Sequence, residues 1–260
     1  MNYVAYLWDA IVAAIPAIQF LFLSILAFTV AERILPAEKN QPLHDYFSNF
    51  GYSALYHLVT PVVMIMPSAL ISAVVRHFGP GLIELDLDHW QSEGMTWAWP
   101  VRNVLLPLTP LAIYDFFYYW HHRLQHAAYP FWRIHRLHHS AASLNAMGAF
   151  RIHWLEEPMR TVTMTLPTIL LFDITPVQGA WIAAGLGQLA LLIHANLRIP
   201  LGPLTVVFMG PQTHRIHHSR EPRHAGKNFA SVFPFWDILF GTFYRPQRDE
   251  WAATGLYSPT

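Results

Sequence analysis

Cysteine is absent from all 260 residues. Its absence removes disulfides, thiolate metal sites, iron–sulfur clusters and cysteine nucleophiles together, and leaves only nitrogen and oxygen donors for a metal. Charge is scarce too: Asp, Glu, Lys and Arg make up 12% of the chain, against about 25% in soluble globular proteins. The formal net charge is zero, so no basic surplus points to nucleic acid. The opening stretch MNYVAYLWDAIVAAIPAIQFLF lacks the basic n-region and small-residue cleavage site of a secretory signal, and lacks an Arg-rich transit pattern. It reads as a retained membrane segment. Neither an internal repeat nor a low-complexity linker is visible.

What is abundant is apolar and aromatic: hydrophobic residues reach 53% and Phe, Trp and Tyr 15%. Such a composition predicts a bilayer as surroundings, with rings such as Tyr114, Trp120 and Trp132 near the membrane–water interface. Four stretches are apolar enough to matter: Ile11 to Val30, Tyr52 to Val75, Val104 to Tyr119 and Val162 to Ile193. A crossing takes about 20 helical residues. The first two qualify outright, and the third does so with a kink at Pro107 and Pro110. The fourth is too long for one crossing and carries Asp173, Thr175 and Pro176 near its middle, so it reads as a helical hairpin, partly re-entrant. Twelve of the sixteen Lys and Arg lie at or after Arg123, whereas the segment from Gly79 to Pro100 is acidic, with Glu84, Asp86, Asp88 and Glu93. The basic part is expected on the cytoplasmic side.

Sixteen histidines are present, and twelve of them fall between His121 and His224. The text runs DFFYYWHHRLQH, HRLHH, RIHWLEE, HAN and HRIHH. On a helix, residues three and four apart share a face, so His122 converges with His126, His135 with His138 and His139, and His214 with His217 and His218. Neutral imidazole is a good ligand for iron, zinc or copper, and eight such rings exceed what one four-coordinate structural zinc uses. Two metals are the economical reading. His194 and His153 extend the set to ten.

Other histidines read differently. His121 lies in a competing register and is left as an outer residue; His224 reads as an exposed loop residue, and His57, His77 and His89 as ordinary interfacial ones. Asp115, two helical turns before His122, is placed to accept a ligand's second ring proton. Glu156 and Glu157 are candidates for an outer or a ligand role, and Asn196 is a further outer candidate. The stretch Gly185-Leu-Gly187-Gln-Leu-Ala190 imitates a dinucleotide fingerprint, but it lies in an apolar helix with no preceding strand and reads as helix packing.

At DFFYYWHHRLQH, HRLHH and HRIHH, followed by WDILFGTF at Trp236 to Phe243, the sequence resembles the fatty acid hydroxylase / sterol desaturase superfamily over about Leu111 to Arg245. The resemblance implies a helical membrane fold capped by a cytoplasmic, histidine-bound di-iron site that uses dioxygen and two external electrons to hydroxylate or desaturate a lipid. The family's ligand motifs fall on His122 and His126, on His135, His138 and His139, and on His214, His217 and His218. Its RxHPxE element corresponds to Arg151-Ile-His153-Trp-Leu-Glu156, with Trp154 where proline is usual.

The expectation is therefore an all-α integral membrane protein of about four transmembrane helices or hairpins with a histidine-rich cytoplasmic cap. N-terminal spans occupy 1–100, a catalytic region 101–248 and a tail 249–260. Two iron ions, displaceable by zinc on purification, would act with dioxygen on a lipid. No cytochrome, flavin or iron–sulfur module is recognisable, so electrons would come from a separate cytochrome- or ferredoxin-type carrier with its reductase. A lipid desaturase is the main alternative. A metal-binding or transport protein would instead line its spans with histidines or carboxylates, and a diheme carrier would hold isolated mid-span histidines.

Overall fold

A computed structural model describes residues 3–79, 81–84, 99–100, 106–173 and 176–256. The acidic residues Asp86, Asp88 and Glu93, together with His89 and the turn residue Thr175, lie outside the described residues. Within the described residues the chain is mostly helical: α1 (Tyr3–Ile34), α2 (Leu43–Val63), α3 (Ile65–Phe78), α4 (Leu106–Ala127), α5 (Tyr129–His139), α6 (Glu156–Arg160), α7 (Leu166–Leu171), α8 (Pro176–His194), α9 (Pro211–His217) and α10 (Phe235–Leu239). One parallel pair joins β1 (Ile83–Glu84) to β2 (Phe172–Asp173), with Ile83 opposite Phe172.

The expected span from Tyr52 to Val75 is broken. α2 and α3 meet at Met64 with a bend of 47°. Pro61 inside α2 donates no N–H and crowds the preceding turn, and Pro67 follows in the first turn of α3, so the ladder is weakened on both sides of the break. Together α2 and α3 are long and apolar enough to cross a bilayer; among the described residues no single helix is. Pro110 sits near the start of α4, which then runs unbroken to Ala127 and carries His122 and His126 past the apolar stretch. The anticipated hairpin resolves into α6, a π-helical turn (Thr161–Thr165) and α7 on one side and α8 on the other. The π turn has a local cause: the Thr161 and Thr163 hydroxyls bond back to the carbonyls of Glu157 and Met159 and compete with the regular ladder.

Two apolar clusters fix the ends of the long helices. Tyr119 of α4 and Ile193 of α8 pack with Met209, Phe229 and Ala230, while Leu191, Ala195 and Leu197 pack with Ala146 and Ala149 against the end of α1. Buried Glu32 ties α1 to the same region, its Oε1 accepting the N–H groups of Ala146 (2.7 Å) and Asn196 (2.8 Å). By contrast α3 buries no residue, and Leu58 and Met66 are 75% and 81% exposed, so a wide apolar surface faces outward on the α2–α3 side.

Candidate metal centre

Local rules place the rings. Pro130 is the second residue of α5 and Pro211 the first of α9, each in the first turn, where a missing N–H is harmless. The HRLHH text therefore fills the last turn of α5, and HRIHH spans α9 with His218 as its C-cap. All seven residues of α9 are buried. Gly210 precedes them at a point where an added Cβ would lie 2.6 Å from the Leu201 side chain, so this entry holds only glycine without a shift.

Nine of the ten anticipated ligand histidines converge, in two groups: His122, His126, His135, His139 and His217 in one, and His138, His194, His214 and His218 in the other. Within each, one ring nitrogen per residue lies within 4.8 Å of the others. Consecutive residues serve different groups, His138 against His139 and His217 against His218. His153 lies outside both; it is only partly buried, and its Nδ1 accepts the Leu155 N–H at 3.2 Å.

Ring protons can be assigned from partners, since a carbonyl oxygen only accepts. Nδ1–H of His122 donates to Phe229 O (2.7 Å), that of His217 to Lys227 O (2.9 Å) and that of His194 to Ala190 O (2.8 Å). His135 Nδ1–H points at the Glu156 carboxylate, 3.3 Å away. Each of these rings then has a bare Nε2. Yet His122 Nε2 lies 3.1 Å from His135 Nε2, His217 Nε2 lies 3.2 Å from His139 Nε2, and His194 Nε2 lies 3.0 Å from both His138 and His214 Nε2. Between His122 and His135, both with the proton on Nδ1, two lone pairs face each other at that distance and form no hydrogen bond. A cation between them resolves the contact, and the buried Nε2 of His126, which has no partner, belongs to the same set. The donor set, all imidazole nitrogen, fits iron, zinc or copper.

Burial keeps these rings neutral. It pulls His217 down to about 4, and it holds His135, His138, His139, His214 and His218 well below the ordinary histidine value, reinforced by their neighbours. Neutral imidazole is the form that ligates. Burial also raises the Glu156 carboxyl, opposed by Arg160 and by a 3.0 Å hydrogen bond from Gln125 Nε2.

Several outer assignments change. Asp115 touches no ligand ring: its carboxylate accepts the N–H groups of Ser231 (2.8 Å), Val232 (3.0 Å) and Phe233 (2.7 Å). It pins the loop whose Phe229 carbonyl orients His122. Asp237, within the WDILFGTF text, pins the same loop through the N–H groups of Phe229 (2.7 Å) and Ala230 (2.9 Å). Asn228, at φ +57°, bonds to Thr213 O and Tyr244 O and completes the turn. Asn196 braces Glu38 instead of a ligand, and Glu157 accepts from Tyr56 and Arg160. His224 is buried, not exposed, between Ser219 Oγ (2.9 Å) and Glu250 Oε1 (3.2 Å). His121 meets Thr163 of the π turn at 2.8 Å, and His57 bonds to Ser53 O.

The comparisons with known proteins agree with this site. The chain is 29% identical over 228 residues to the ornithine lipid hydroxylase OlsE of Rhizobium tropici, covering 86% of this chain and 66% of that one. It is 34% identical over 145 residues to the alkylglycerol monooxygenase of Homo sapiens, covering 56% and 32%. With methylsterol monooxygenase 1-3 of Arabidopsis thaliana it shares 28% over 161 residues, covering 58% and 54%. It thus spans two thirds or less of these relatives' own lengths. No solved structure matches. The fatty acid hydroxylase family model matches residues 108–242, over half the chain and every one of the nine converging histidines, and the protein belongs to that family.

Proposed function

We propose that this chain is a membrane-embedded, di-iron, dioxygen-dependent lipid hydroxylase whose catalytic region is 101–248. The observation that carries the reading is the pair of buried histidine groups, in one of which the bare Nε2 atoms of His122 and His135 face each other. His122, His126, His135, His139 and His217 would hold one metal, and His138, His194, His214 and His218 the other. When bound, such a pair supplies the reductive cleavage of dioxygen that lets an unactivated C–H bond become C–OH, with two electrons and two protons consumed and water released. Glu156 and the carbonyls of Lys227, Phe229 and Ala190 hold the ligand protons on Nδ1. Hydroxylation is favoured over desaturation because the relatives named above are hydroxylases or monooxygenases acting on an ornithine lipid, an alkylglycerol and a methylsterol.

A cavity of about 290 Å³ reaches His138 and His194 and is lined on one side by Ala183, Leu186, Gly187 and Ala190 of α8. The Ala183, Leu186 and Ala190 side chains exclude water and receive hydrocarbon, and Gly187 leaves room for it. The apolar outer surface of α2 and α3 supports bilayer embedding, and the basic excess after Arg123 supports a cytoplasmic site. Arg220 is exposed and offers charge to an acidic electron carrier; Arg223, paired with Glu221 (2.8 Å) and Glu250 (2.9 Å), and Arg215, buried against Glu38 at 2.7 Å, do not.

The test is anaerobic iron loading followed by labelled dioxygen and a reductant. About two irons per chain and one labelled oxygen in a lipid product are expected; oxidation by metal-free protein rejects the proposal. A smaller change is expected from Glu156→Gln, which keeps the shape but removes the charge facing His135 Nδ1–H. Metal affinity measured by chelator competition should fall about 10-fold or more, and an unchanged affinity would assign Glu156 to Gln125 and Arg160 instead.

A further inference from the structure

The same cavity has a polar end that the metal site does not use. Arg160, Glu157, Tyr56 and Tyr118 line it together with the ligands His138 and His194. Arg160 donates from Nη1 to Glu157 (2.9 Å) and from Nη2 to Glu156 (3.4 Å). A guanidinium has five N–H donors, so most remain without a partner among the described residues, and its buried Nε is one of them. Its side chain keeps 23% of its surface accessible, and it lines the cavity. The Tyr118 hydroxyl likewise makes no hydrogen bond among the described residues, whereas that of Tyr56 is occupied by Glu157 at 2.8 Å. An unpaired donor set deep in a protein is costly unless a ligand satisfies it.

Charge decides what kind of ligand. Arg160 faces two carboxylates, Glu156 and Glu157, so this end carries no net positive charge to hold a carboxylate or phosphate. It suits an uncharged oxygen that accepts from Arg160 and Tyr118. Position decides where the chemistry falls. Glu156 contacts both Arg160 Nη2 (3.4 Å) and His135 Nδ1 (3.3 Å), so one carboxylate separates this subsite from a metal-facing ring. Hydrocarbon has room on the other side: Tyr114, Ala183 and Leu186 are shared with a second, apolar cavity of about 210 Å³ bounded by Pro110, Ile169 and Ile182.

We propose that Arg160 and Tyr118 form a subsite for an uncharged hydroxyl, ether or carbonyl oxygen of the lipid, so that oxidation falls on a carbon a few bonds from that group and the chain extends past Tyr114. The proposal rests on the hydroxylase reading above for its chemistry, but its binding arm does not. Iron-loaded protein without dioxygen is titrated in detergent with hexadecylglycerol ether, hexadecyl phosphate and hexadecane. The ether should bind tightest. Arg160→Gln should weaken it about tenfold, to the level of the alkane, and Tyr118→Phe by a lesser factor. Iron content measured on the same samples separates this from unfolding, and Tyr118→Phe, which only removes a hydroxyl, carries the test if Arg160→Gln loses metal. With dioxygen and reductant, the new oxygen is expected near the ether linkage. Phosphate binding tightest, a binding order unaltered in Tyr118→Phe, or oxygen at the chain end would overturn the subsite. The expected binding order without any product would instead reject the hydroxylase reading and leave the subsite standing.

Discussion

His138→Ala is expected to lower iron from about two to about one per chain and to abolish lipid oxidation. The smaller group has four nitrogens, and removing His138 leaves His194, His214 and His218 around a buried space that a methyl group cannot fill with a donor. His194 Nε2 also loses the neighbour 3.0 Å away against which it is positioned. The larger group behaves differently. His126→Ala leaves His122, His135, His139 and His217, enough for a four-coordinate site, so iron should be retained more weakly while activity still falls. His153→Ala and His77→Ala should keep wild-type iron, because neither belongs to a group. Elemental analysis and product formation on the same membrane preparations, with protein amount controlled, check the series. Retention of both irons and full activity in His138→Ala would reduce the clusters to packing.

The helix rule made most of this site legible. The i, i+4 pairs His135 with His139 and His214 with His218 each share a group, as spacing anticipates, whereas His138 and His217 turn to the other group. What spacing could not supply is how a turn is divided between two centres, since that depends on rings brought from α4 and α8. Asp115 shows the limit in another way. Two turns from His122 it shares a face by periodicity, yet its partners are the N–H groups of 231–233, over a hundred residues away. The same holds for His224, buried by Glu250 of a segment that reads as a tail but packs back through Ala252 O on Arg215 Nε (2.8 Å) and Thr254 on Ala142 O (2.9 Å). Asp237 was visible inside WDILFGTF, but a carboxylate that accepts backbone N–H groups leaves no periodic signature. Composition anticipated helices; it did not anticipate that Pro61 would break the second apolar stretch at Met64.

Acidification should destabilise the metal-free protein more than any single outer-residue substitution. Histidines in an unfolded chain titrate near about 6.5, whereas burial holds His217 down to about 4 and the other cap histidines well below their ordinary value. Between those limits the unfolded state takes up protons that the folded state refuses. Stability therefore rises with pH across the window and is lost as pH falls from about 6.5 toward about 4. For His217 alone the difference corresponds to roughly 3 kcal/mol. Buried Glu156, Asp237 and Glu32 act oppositely: burial raises their carboxyls, so the folded state gains protons first and is favoured by acid. They are outnumbered by the nine clustered histidines. Thermal melts of chelator-treated protein should be level above about pH 7 and fall steeply below about pH 6. Bound metal should raise the melting temperature most near neutrality and lose that effect as protons compete for the same Nε2 atoms. A metal-free protein that melts as high at about pH 5 as at about pH 8 would show that the rings are already protonated or solvated, and would remove the physical basis for two closely packed, neutral imidazole clusters.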